Sequence, residues 1–122
     1  MSERDGRLAV GIVGAGRVGP VIGAALAAAG HRVVSISAVS EASRDRAEAL
    51  LPGVEIRDVP DVVGSSELVV LAVPDDQLES LVAGLAALDA WQPGQIVLHT
   101  SPAFGIGVLE PARNRGAIPV AL

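Results

Sequence analysis

Gly14, Gly16 and Gly19 stand in a G-x-G-x-x-G spacing between an apolar run, residues 8–13 (LAVGIV), and a helix-forming one, residues 20–30 (PVIGAALAAAG). Residue types in that order suit the holding of linked phosphates. Gly14 lets the chain leave a strand in a tight turn. Gly16 carries no side chain, so a phosphate can approach the backbone, and Gly19 lets the next helix pack close to a sheet. That helix offers unpaired N–H groups and the positive end of its dipole. With 14 glycines in 122 residues the spacing alone is weak, and a turn that binds nothing can carry it too. The strand and helix patterns on either side single it out. Ala15, Arg17 and Val18 complete the turn.

A dinucleotide held there would reach the end of the second strand with its ribose. NAD-binding chains place Asp or Glu at that point, whereas NADP-binding chains leave it uncharged and bring up an arginine. The place falls near Ser37, in Ser37-Ala-Val-Ser40, without a carboxylate, although Glu41 follows. Ser37, Ser40, Ser43 and Arg44 could hold a 2′-phosphate through hydroxyls and a charged fork. The sequence therefore favours NADP, with NAD as the alternative, and helix capping explains Ser40 without any ligand.

Three further groups invite chemistry. Ala72-Val73-Pro74-Asp75-Asp76 closes an apolar strand where the ribose and nicotinamide would pass; Pro74 fixes the backbone, and Asp75 or Asp76 suits a helix N-cap. His99-Thr100-Ser101 ends another strand on the same edge. His99 could donate a proton during hydride transfer, and the Ser101 hydroxyl could hold a substrate or the nicotinamide amide. The plainer role for His99 is a half-buried ring satisfied by a backbone carbonyl. His31 follows Gly30 at a helix C-terminus, where capping suffices, and Trp91 reads as a lid on the core.

The elements that must position these groups follow from periodicity. Strands are expected at residues 8–13, 31–37, 54–56, 68–73, 95–100 and 117–122. Helices are expected at 20–30, 41–51, 75–88 and 107–115, with at most one turn at 60–65. This alternation specifies an α/β domain: a doubly wound parallel sheet of Rossmann type, order 3-2-1-4-5-6, in three αβα layers. The ligand crevice then lies at the carboxyl ends of strands one and four.

Composition narrows the rest. Half the residues are hydrophobic and 2% aromatic, so the core is aliphatic, as a sheet buried on both faces requires. A net charge of −5 without a basic stripe argues against nucleic acid as the main partner. All nine basic residues are arginine, which excludes a lysine base, and the lack of cysteine excludes thiolate chemistry and disulfides. No metal-ligand spacing is present. The polar start of the chain and its short apolar runs read as a cytoplasmic protein with neither signal peptide nor membrane span.

GIVGAGRVG, GHRVV, VVLAVPDD and the HTS that ends strand five together resemble one superfamily: the N-terminal domain of pyrroline-5-carboxylate reductase, 6-phosphogluconate dehydrogenase and 3-hydroxyisobutyrate dehydrogenase-like proteins. Within it the chain is most similar to a branch described as Rossmann-like oxidoreductase-like proteins. The resemblance implies NAD(P) contacts from Gly14 to Gly19 and from Ala72, Val73 and Pro74, with Ser101 toward the substrate. It implies an oxidoreductase acting on a small imine, oxo or hydroxy acid. The relatives' acid–base residue comes from a C-terminal helical domain, expected to be missing from residues 1–122, so the chain alone is expected to be inactive. A non-catalytic dinucleotide sensor or protein-interaction module is the alternative. Where a second domain or a homodimer partner would pack, residues 104–108 and 117–122 should show uncovered apolar area.

Overall fold

The structure, a computed structural model, describes residues 7–120. Six parallel strands, β1 (Ala9–Val13), β2 (Arg32–Ser37), β3 (Glu55–Ile56), β4 (Leu68–Leu71), β5 (Ile96–His99) and β6 (Ile118–Val120), form one sheet in the order β3-β2-β1-β4-β5-β6. Five helices connect them: α1 (Val18–Ala28), α2 (Glu41–Leu50), α3 (Val59–Gly64), α4 (Asp75–Ala87) and α5 (Glu110–Arg113). The expected α/β class and doubly wound order are those observed.

The sheet divides two apolar layers. Ile22, Leu26, Ala47 and Leu51, from α1 and α2 and their ends, pack on Val10, Ile12, Ile36 and Val70. On the opposite face Val62, Leu78, Val82, Leu85 and Leu109 pack on Val13, Val69, Leu71 and Val97. Consecutive side chains of a strand alternate between faces, so near-continuous apolar strands fill both layers. Trp91 belongs to the second layer and donates its Nε1–H to the Val82 carbonyl at 3.2 Å. Gly11 lets α3 lie close on β1, since a Cβ there would come within 2.8 Å of Val62 Cγ1.

Some boundaries differ from the sequence expectation, each for a physical reason. β4 stops at Leu71 rather than residue 73, because its partner β1 ends at Val13, opposite Leu71. The turn expected at 60–65 is the six-residue α3, stabilised by complete burial of Val62 and Val63. The helix expected at 107–115 is a 3₁₀ turn, Ile106–Leu109, followed by α5. Pro111 has no N–H for the Gly107 carbonyl, so a continuous α-ladder cannot form there. β6 covers Ile118–Val120, and residues 121–122 of the expected strand lie outside the described ones.

The two halves of the sheet are covered unequally. On the α1–α2 face Ile96 and Leu98 of β5 are half-buried, while Ile118 and Val120, paired with them in β6, are 50% and 39% exposed. Ile106 is 47% exposed, whereas Phe104 and Val108 pack against the core. The expected bare apolar strip is therefore present at β6 and at Ile106.

Candidate functional site

The carboxyl ends of β1, β2 and β4 enclose a crevice of about 460 Å³, within the range of small-ligand sites. Its floor is Val13, Gly14, Ala15 and Gly16; one wall is residues 37–40 with Ser43 and Arg46, and the other is residues 72–74.

The glycine turn is built from backbone approach. Gly14 has φ +103°, where a side chain is strained, and a Cβ would run into the Ala72 carbonyl. A Cβ on Gly19 would meet the Gly14 carbonyl, so α1 can start this close to β1 only without one. Apart from its two chain neighbours, no atom of the described residues lies within 4 Å of the Cβ position of Gly16, which leaves space at the floor of the crevice. The Ser37 hydroxyl accepts the Gly14 N–H at 2.9 Å, tying the turn to the end of β2. Arg46 donates Nε–H to the Ala15 carbonyl at 3.1 Å, tying it to α2.

Two helix N-termini meet at this edge, and they differ. The first turn of α1 carries no acidic residue. That of α4 carries Asp75 and Asp76, so its dipole already faces two carboxylates. An anionic ligand is thus favoured at α1.

The structure brings Gly14, Ala15, Gly16, Ser37, Ser40, Ala72, Val73 and Pro74 to one crevice. Arg17 and Val18 lie on the exposed outer side of the turn, away from the crevice lining. Ser40 caps α2 by accepting the Ser43 N–H at 3.1 Å. Arg44 is exposed and does not line the crevice, while Arg46 does. Two residues along a helix are some 200° apart, so Ser43, Arg46 and Ala47 share the inner side of α2 and Arg44 the outer. Sequence reasoning missed Arg46; the buried Ala47 beside it was the available signal of helix phase.

At the β4–β5 edge the candidate groups are engaged with one another. Ser101 N–H donates to His99 Nδ1 at 3.1 Å. Because a backbone N–H can only donate, Nδ1 is unprotonated and Nε2 carries the ring proton, which goes to the Gly105 carbonyl at 2.9 Å. Both ring nitrogens of His99 are therefore engaged by backbone partners, as in the plainer of its two expected roles. The Ser101 hydroxyl donates to Asp75 Oδ1 at 2.5 Å and accepts the Ala103 N–H at 3.2 Å. One acceptor lone pair remains on it, and no free donor. Asp75 is not the N-cap of α4: Pro74 holds that position, and Asp75, the first helical residue, reaches across to Ser101. His31 Nδ1 accepts the Leu8 N–H at 3.1 Å, far from the crevice on the amino side of the sheet. Among the described residues no cluster of three His, Cys, Asp or Glu could hold a metal. No helix among them is long and apolar enough to cross a membrane.

Sheet order, glycine turn and crevice at the β1–β4 switch point define a doubly wound α/β domain of Rossmann type. The chain belongs to the Rossmann-like domain family, whose model matches residues 2–122. No curated protein sequence matches it. Its fold is shared with 3-hydroxyisobutyrate dehydrogenase of Mycobacterium tuberculosis in a structure with L-serine (22% identity, TM-score 0.73, 94% of this chain and 40% of that one). An imine reductase variant of Myxococcus stipitatus in complex with NAD+ is similar at 22% identity and TM-score 0.71, over 94% of this chain and 40% of that one. A diketoreductase matches at 20% identity and TM-score 0.74, over 95% and 50%. The chain thus spans half or less of the length of these structures.

Proposed function

We propose that this chain is the dinucleotide-binding part of a nicotinamide-dependent oxidoreductase, with NADP preferred over NAD. One observation carries the reading: the N-terminus of α1, without an acidic residue, follows directly on the crevice floor of Gly14, Ala15 and Gly16. That combination suits a pyrophosphate, and the space above Gly16 is space a side chain would take from it. The α1 N–H groups and the turn from Gly14 to Gly19 would hold the pyrophosphate. Ser37 and Arg46 would set the ribose end, where no carboxylate stands among the crevice residues to repel a 2′-phosphate. Ala72, Val73 and Pro74 would form the wall along which the nicotinamide half extends. When bound, the nicotinamide supplies or accepts the hydride.

The likeness in fold to a dehydrogenase and to reductases supports a reaction at a small imine, oxo or hydroxy acid. Because His99 and Ser101 have no free donor, this chain contributes binding and orientation, and the reacting proton has another source. Titration calorimetry with NADP, NADPH, NAD and NADH tests the reading. Micromolar or weaker binding with the phosphorylated pair ahead is expected. Absence of heat with all four overturns it, and a preference for NAD overturns the assignment of the ribose end.

A further inference from the structure

The hydrogen bonds at the β4–β5 edge form a relay that joins two elements remote in sequence. Asp75, at the start of α4, accepts the Ser101 hydroxyl across 26 positions of chain. Ser101 in turn donates its amide to His99 and accepts the Ala103 amide, and His99 closes the turn onto Gly105. His99 and Ser101 are each only 8% exposed, so a partner lost here is poorly replaced by water. The same turn lines a pocket of about 280 Å³ bounded by His99, Thr100, Pro102, Phe104 and Ile106.

We propose that Asp75 is a positioning residue: its carboxylate anchors Ser101, and through Ser101 it fixes His99 as the Nε2–H tautomer and sets the turn that shapes this pocket. The inference rests on the proposed function only in taking the pocket as the receiver of the reactive end of the dinucleotide. Without the acceptor at residue 75 the Ser101 hydroxyl must turn to another partner. The Ser101 amide then loses its fixed aim at Nδ1, and the imidazole can exchange tautomers. The α4 N-terminus and the turn after β5, which lines the pocket, become independent.

The test is nitrogen-15 NMR of the His99 ring in the whole 122-residue chain, alongside NADPH titration. Wild type is expected to show the Nε2–H tautomer alone. Asp75→Ala and Ser101→Ala should both show mixed tautomers and lose about tenfold in NADPH affinity, the size of one charge-assisted hydrogen bond. Asp75→Asn keeps an acceptor oxygen and should restore both readouts to within about twofold of wild type. Unchanged β1 amide signals confirm that each variant is folded. A single unchanged tautomer in both Asp75→Ala and Ser101→Ala overturns the relay, as does failure of Asp75→Asn to rescue. If wild type binds no NADPH, the functional reading fails, and the tautomer comparison still decides the relay.

Discussion

The two halves of the sheet's carboxyl edge handle their polar groups in opposite ways. In the β1–β2 half, Ser37 and Arg46 hold backbone atoms of the glycine turn, and among the described residues only the chain neighbours of Gly16 stand within 4 Å of its Cβ position. In the β4–β5 half, Asp75, Ser101 and His99 hold one another, and their donors are taken. The first half is shaped around a space; the second is shaped around itself. The helix termini repeat the contrast, α1 bare and α4 already faced by Asp75 and Asp76. A residue of suitable type at a suitable place is therefore not the same as an available group. At this edge the available backbone lies in the first half, and what the second half offers is the pocket beside His99–Ile106 rather than a free side-chain donor.

Gly14→Val attacks the scaffold of the first half and should have the largest effect. It combines a positive φ with collision on the Ala72 backbone, whose carbonyl carbon would lie 2.9 Å from the new Cβ. A loss of about 3 kcal/mol or more is expected in urea unfolding. A stability change below about 1 kcal/mol would show that the turn is not packed as described. Arg46→Ala probes the proposed ribose end next. NADPH affinity should fall about tenfold while NADH affinity stays within about twofold, since only a 2′-phosphate would use the guanidinium. Equal losses for both would mean that Arg46 serves the turn through Ala15 and not the phosphate. The smallest effect has the opposite sign. Ser35 is buried in β2, and its hydroxyl finds no hydrogen-bond partner among the described residues, so Ser35→Ala should stabilise the fold by up to about 1 kcal/mol. Destabilisation there would reveal a bond that the hydroxyl makes.

Much of this was legible in the sequence. Alternating apolar strands and helices with glycine and proline punctuation specified the strand order, and the glycine turn located the crevice. The glycine roles could be read because they depend on local geometry, the departure of one strand into one helix. The crevice wall at the end of β2 was legible by region and not by residue: whether Arg44 or Arg46 lines it depends on the rotational phase of α2 against the sheet, which is set by burial of Ala47. The engagement of Ser101 by Asp75 could not be seen, because it joins two loops only after β4 and β5 have paired. Pairing of Leu71 with His99 sets those loops side by side. Similarly, α3 exceeds its local propensity because Val62 and Val63 find complete burial.

The central claim, that the first half binds a dinucleotide through empty space over a bare backbone, is tested most directly by Gly16→Val. Measured together, its melting temperature and its NADPH affinity separate fold from site. The melting temperature is expected within about 2 °C of wild type, because among the described residues only the chain neighbours come within 4 Å of the Cβ position, and NADPH affinity is expected to fall more than about tenfold. Wild-type NADPH affinity in a folded Gly16→Val protein would contradict it.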